Sequence, residues 1–130
     1  MNLKRYIGII LSLAISVSAA LAQGGKAEPL EIRFAQGHSS KVLVQTLSAG
    51  QEMEYSLTAL AGQTLTIRNR KTSLFDVRVF SEENDVETEF DSSPTMSITV
   101  PATGVYYLFV RKKAVDRPRR AAFSIEVSIK

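Results

Sequence analysis

The sequence predicts an all-β protein: a single-domain antiparallel β-sandwich of about eight short strands, after a cleaved N-terminal signal peptide. Two observations predict the sandwich. Apolar residues recur with a period of two from residue 30 to the C-terminus, and turn-forming residues interrupt that rhythm at fairly even intervals. A third observation separates the first 22 residues from the rest. Lys4 and Arg5 precede an apolar run, Tyr6 to Val17, and Ala20-Leu21-Ala22 follows it. This is the order of an export signal: positive flank, apolar core, small-residue cleavage site. The run is too short to span a bilayer comfortably, so stable membrane insertion after cleavage is not expected. No cysteine follows the cleavage site to carry a lipid. The expected organisation is residues 1–22 as signal peptide, 23–29 as a flexible lead, and 30–130 as the sandwich. The expected location is the periplasm.

The strands follow in order. Leu30, Ile32 and Phe34 alternate with Glu31 and Arg33. Val42 and Val44 alternate with Lys41, Leu43 and Gln45, which leaves both faces of that run partly apolar. Met53, Tyr55 and Leu57 form the third run, Leu65 and Ile67 the fourth, and Phe75, Val77 and Val79 the fifth. Met96, Ile98 and Val100 follow, then Tyr106, Leu108 and Val110. Phe123, Ile125, Val127 and Ile129 close the chain. Between them lie Gly37-His38-Ser39-Ser40, Ala49-Gly50, Ala61-Gly62-Gln63, Asn69-Arg70-Lys71, Ser92-Ser93-Pro94 and Ala102-Thr103-Gly104. Each is rich in residues that turn a chain. Outside the leader no run has the 3.6-residue period of an amphipathic helix.

The formal charge of +3 overstates the basicity of the body. Without Lys4 and Arg5, fourteen Lys and Arg face thirteen Asp and Glu. A near-neutral body does not suit a phosphate backbone, so nucleic acid is not an expected partner. Many small exported domains are stapled by disulfides; this chain has no cysteine and must rely on packing and strand pairing.

Two segments break the rhythm. Glu82 to Asp91 holds six acids in ten residues, and Arg111 to Arg120 holds six bases in ten. Both read as solvated loops or strand ends. They either serve as polar connections that discourage edge-to-edge aggregation, or form a rim that steers a protein partner.

Catalysis finds little support. One histidine and no cysteine leave no His/Cys metal cluster, so no metal or other cofactor is expected. His38 lies beside Ser39 and Ser40, but neighbours in a tight turn seldom face each other, and no orienting acid is marked. The acids at 82–91 lack the spacing of a calcium loop. No glycine-rich phosphate cradle is present. Catalytic residues are therefore none, and a binding module is the expectation. Phe90, Tyr107 and Phe109 are candidates for an outer face.

Pro101-Ala102-Thr103-Gly104-Val105-Tyr106 reads as a turn into a buried strand. Gly104 can take a positive φ there, and Tyr106 can bond its hydroxyl to the backbone as a tyrosine corner. A longer pattern is more specific. It runs Phe34-x-x-Gly37-x-Ser39-Ser40, Tyr55-x-Leu57, Ala61-Gly62-Gln63-x-Leu65-x-Ile67 and Phe75-x-Val77. It continues through Pro101-x-Thr103-Gly104-x-Tyr106, an Arg-rich connection, and Ala122-Phe123-x-Ile125-x-Val127. In this order the segments resemble the periplasmic inhibitors of g-type (goose-type) lysozyme. Some pieces also resemble the bacterial pre-peptidase C-terminal domain.

The first resemblance implies a protein partner, g-type lysozyme, whose cleft is blocked without chemistry from the inhibitor. It implies a Ser-Gly-x-Tyr element, matched here by Thr103, Gly104 and Tyr106 with threonine for serine. It also implies nearby arginines, matched best by Arg117, Arg119 and Arg120, then by Arg111 and Lys113. Asp116 and Pro118 interrupt the family's usual basic stretch. The second resemblance implies an accessory module that binds carbohydrate or cell surface; a chain ending at Lys130 without a fused enzyme departs from its usual setting.

Overall fold

The computed structural model describes residues 28–130. The predicted signal peptide, and the predicted lead up to residue 27, lie outside the described residues. The chain forms β1 (Leu30–Glu31), β2 (Ser40–Ser48), β3 (Glu52–Ala59), β4 (Thr64–Asn69) and β5 (Phe75–Ser81). It goes on to β6 (Val86–Glu87), β7 (Thr95–Thr99), β8 (Gly104–Lys112) and β9 (Arg120–Ile129). All eight predicted runs become strands. The ninth, β6, was not expected: it is two residues of the acidic segment paired with Phe80 and Ser81.

Two sheets face each other. One has the order β1-β3-β8-β5-β6, the other β2-β9-β4-β7. Pairing is antiparallel throughout except that β1 runs parallel to β3. β1 itself is short, but the alternation read from the sequence persists beyond it. Ile32 donates its N–H to the Ser56 carbonyl at 2.7 Å and is buried, and Phe34 packs against the core.

The period of two places one side chain in two between the sheets. β3 contributes Tyr55, Leu57 and Ala59; β5 contributes Phe75, Val77 and Val79; β8 contributes Tyr106, Leu108 and Val110. From the opposite sheet come Leu43, Leu47, Leu65, Ile67, Phe123, Ile125 and Val127. Phe123 meets Phe75 and Tyr55 edge-on, with ring centroids 5.6 and 6.5 Å apart, the geometry that aromatic quadrupoles favour.

β8 lies in the middle of its sheet and defines two ends of the sandwich. Its register places Gly104 opposite Ala59, and Arg111 opposite Glu52 and Asp76. Gly104 and Lys112 are roughly 27 Å apart at the usual strand rise. The turns at 61–63 and 101–103 lie at the first end, with the tip of the acidic segment. The turns at 49–51 and 70–74 and the basic connection 113–119 lie at the second.

Candidate functional site

At the first end, the Tyr106 ring is fully buried and its hydroxyl turns back on the chain. It donates to the Ala102 carbonyl at 2.5 Å and accepts weakly from the Ala102 N–H at 3.4 Å. This is the tyrosine corner that the sequence suggested. Thr103 is exposed, yet its Oγ1 accepts the Ala61 N–H at 3.0 Å, tying the turn to its neighbour.

Gly104 departs from expectation. Its φ is not positive; among the described glycines that conformation belongs to Gly37, Gly50 and Gly62. Glycine matters at 104 because the acidic tip lies against it. A Cβ there would sit 2.7 Å from Asn84 Nδ2 and 2.9 Å from Glu83 Oε1. Asn84 Nδ2 donates to Ser81 Oγ at 3.0 Å, and that hydroxyl donates to the Val105 carbonyl at 2.9 Å. The corner and the acidic tip are thus one assembly.

The rest of the acidic segment is no free loop. From β6 it runs back along the edge of β5. Thr88 donates its N–H to the Val79 carbonyl at 3.0 Å, and Asp91 and Val77 exchange backbone bonds of 2.7 and 2.9 Å. Asp91 Oδ1 accepts the Ser93 N–H at 2.6 Å, and the hydrogen bonds from Ser93 hold its carboxyl below the usual carboxylate range.

This course brings Phe90 over the outer face of the first sheet. The Arg78 guanidinium sits 5.2 Å from the Phe109 ring centroid, 5.5 Å from Phe80 and 5.8 Å from Phe90. Arg111 stacks on Phe90 at 3.8 Å. Phe90, Tyr107 and Phe109 do lie on the outer side, half-buried, and the two phenylalanines are packed around arginines. They form no exposed aromatic row.

At the second end most polar groups hold the fold. Arg111 Nε and Nη2 donate to Asp76 Oδ1 and Oδ2 at 3.0 and 2.8 Å, a bidentate pair. The hydrogen bond to Asp76 holds the Arg111 guanidinium above its already high ordinary pKa. Lys112 continues the inward set of Tyr106, Leu108 and Val110, so strand parity drives it into the interior. It is fully buried, and its Nζ donates to the carbonyls of Lys113 at 3.0 Å and Val115 at 3.4 Å. Lys113 Nζ donates to the Thr72 carbonyl at 2.8 Å, and Lys71 Nζ to the Ala122 carbonyl at 2.7 Å. These bonds pin the base of the connection.

Its outer part is different. Arg117, Arg119 and Arg120 are all exposed. Arg119 meets Asp116 at 3.7 Å with both side chains largely in water, a contact of little energetic weight. Arg117 and Arg120 have no ion-pair or side-chain hydrogen-bond partner among the described residues. His38 is exposed in its turn, and no group of His, Cys, Asp or Glu that could hold a metal occurs among the described residues.

The structure therefore unites Thr103, Gly104 and Tyr106 at one end and gathers Arg111, Lys113, Arg117, Arg119 and Arg120 toward the other. The arginines are not near the corner: β8 separates them along its whole length. The arginines implied to be near the Thr103-Gly104-x-Tyr106 element lie a strand length from it. Sequence reasoning also passed over Asp76, Arg78 and Lys112. Extending the period of two by one step past Val110 is the signal that locates Lys112.

A small, cysteine-free domain of two facing sheets with charged ends belongs to the class of β-sandwich proteins. Comparison with known proteins narrows that class. No family model matches the chain, and no curated protein matches its sequence. Solved structures do. A periplasmic inhibitor of g-type lysozyme from Aeromonas hydrophila aligns with TM-score 0.64 and 26% identity, over 78% of this chain and 96% of that one. The Salmonella Typhimurium inhibitor aligns with TM-score 0.65 and 19% identity, over 81% and 100%. A pre-peptidase C-terminal domain of collagenase from Bacillus anthracis aligns less well, at TM-score 0.51 and 15% identity over 81% and 97%. The last two likenesses speak to fold alone. The chain is similar to the periplasmic g-type lysozyme inhibitors, and these neighbours are inhibitors, not enzymes.

Proposed function

We propose that this protein is a periplasmic inhibitor of g-type lysozyme, and that it obstructs the enzyme with the basic end of its sandwich. The observation that carries the choice of end is the set of exposed guanidinium groups at Arg117, Arg119 and Arg120, raised on a connection whose base is pinned by buried bonds. Glycosidase clefts commonly hold carboxylates beside the scissile bond. Arginine's planar fork meets a carboxylate through two parallel bonds, and a pinned base lowers the ordering cost of association. Inhibition then requires only occupancy of the cleft. The corner end is the second reading. It is favoured by the bracing of its turn through Tyr106 and Thr103, which also makes a preorganised wedge. A typical partner footprint is about 800 Å², so one cleft accepts one end and not both.

The test is muramidase activity of a goose-type lysozyme titrated with the protein, with hen-type and invertebrate-type enzymes alongside. Selective loss of goose-type activity is expected. The double variant Arg119→Glu/Arg120→Glu should weaken inhibition more than tenfold, whereas Thr103→Lys should leave it nearly intact. The reverse ranking would move the contact to the corner. No inhibition of any of the three enzymes by folded protein would reject the reading and leave an accessory sandwich that binds carbohydrate or cell surface.

A further inference from the structure

The outer face of the first sheet repeats one arrangement. Arg78 lies over Phe109, Phe80 and Phe90, with the Glu87 carboxylate 3.7 Å from its Nη2. Arg111 lies over Phe90 and is held by Asp76. In both, a guanidinium rests on a ring and a carboxylate lies at its edge. Ring quadrupole and opposite charge favour that placement together.

Tyr107 is the next ring of this face, opposite Phe80 on one side and Ser56 on the other. It is half-buried, and no guanidinium of the described residues lies over it. Carboxylates are nevertheless beside it. Tyr107 and Val105 share an open groove of about 460 Å³ with Ser81, Glu82 and Glu83. Glu82 and Glu83 are exposed, and neither carboxylate has an ion-pair partner among the described residues. Both ride on a braced turn. Asp85 donates its N–H to the Glu82 carbonyl at 3.3 Å, and Ser81 Oγ links the Asn84 side chain to the Val105 carbonyl. The other acids of this row are already matched: Glu31, opposite Ser56, holds Arg33 at 3.0 Å, and Glu87, opposite Phe80, faces Arg78.

We propose that this groove receives an arginine side chain of a partner protein, its methylenes against Val105, its guanidinium over Tyr107 and its donors on Glu82 and Glu83. An apolar floor with an acidic rim matches a side chain whose stem is apolar and whose head is charged. Unmatched negative charge at the rim selects a cationic occupant. The flat ring and the carboxylate oxygens favour a planar guanidinium over a compact ammonium. Because the turn is braced beforehand, docking has little left to order. The groove is also separate from the basic connection. Val105 and Arg111 are roughly 20 Å apart at the usual strand rise, so the proposal does not depend on what the basic end meets.

The test is a titration of the protein, purified after expression of the full chain, with the peptide acetyl-Ala-Arg-Ala-amide, followed by NMR shifts. The control peptide carries citrulline, which keeps the shape of arginine and lacks its charge. The expected result is saturable shifts at Glu83, Val105 and Tyr107 with the arginine peptide, much reduced with citrulline and weakened by added salt. Glu82→Gln/Glu83→Gln, which keeps the shape of both side chains, should weaken binding about fivefold. Tyr107→Leu should weaken it about threefold, while Tyr107→Phe keeps the ring and should bind as the unmodified protein does. The citrulline comparison needs no variant and stands whatever the substitutions do to the fold. Absence of saturable shifts at these three residues, equal binding of the two peptides, or undiminished binding by the folded double Gln variant would overturn the proposal.

Discussion

At the corner end, Tyr106 and Thr103 direct their hydroxyls to Ala102 and Ala61. At the basic end, Lys71, Lys112 and Lys113 direct their ammonium groups to main-chain carbonyls, and Arg111 is held by Asp76. The basic end still has positive charge left over, on Arg117, Arg119 and Arg120, which are exposed. A polar residue contributes to recognition only after the fold has taken the bonds it needs. Both ends are anchored, but the corner has consumed the groups that motif reasoning would assign to a partner, and the basic loop has not.

Four experiments press on that contrast. The largest effect is expected from Tyr106→Ala, which removes a fully buried ring and should cost about 3–5 kcal/mol in a denaturation midpoint series. Tyr106→Phe isolates the hydroxyl and should cost only about 1–2 kcal/mol while leaving inhibition unchanged. A Phe variant that keeps its stability but loses inhibition would make the corner a contact and undo the comparison.

Tyr55 lies between the two ends, and burial pushes its phenol up to about 12. The folded state holds that proton more tightly than the unfolded chain, whose phenol titrates near 10. The associated stability is complete below about pH 10 and is lost as pH rises toward 12. At two units of separation it amounts to at most about 2–3 kcal/mol. Tyr55→Phe should flatten that part of a stability-versus-pH curve. An unchanged curve would mean that the phenol ionises as readily folded as unfolded.

Gly104→Ala should displace Asn84 and Glu83 and cost about 1 kcal/mol through the bond to Ser81. The obstructing atoms are the far ends of side chains, so a cost several times larger would show that the acidic tip is stiffer than its contacts imply. The smallest effect on stability belongs to Arg119→Glu/Arg120→Glu, within about 0.5 kcal/mol, since these are surface positions. Thermal melts that fall well beyond that would assign the arginines to the fold and remove the difference between the ends.

Much of the architecture was legible without coordinates. Strand periodicity needs only neighbouring residues, so all eight runs were visible, and the tyrosine corner announced itself through Pro101, Gly104 and Tyr106. β6 was not legible because two residues carry no period. The parallel pairing of β1 is a long-range choice that local pattern does not express. The candidate site was legible as two motifs, but the distance between them was not, because it depends on strand register.

The sequence by itself determined the sandwich, the buried faces, the turn positions and the absence of a His/Cys metal cluster, because alternation and turn chemistry act over a few residues. Only the tertiary structure decided that the corner and the arginines are a strand length apart, that Lys112 is interior, that Gly104 answers to the acidic tip, and that Tyr107 shares a groove with Glu82 and Glu83. Each of these depends on which strands become neighbours and in what register. That is settled when distant segments bury their apolar faces together, a condition no short stretch of sequence contains.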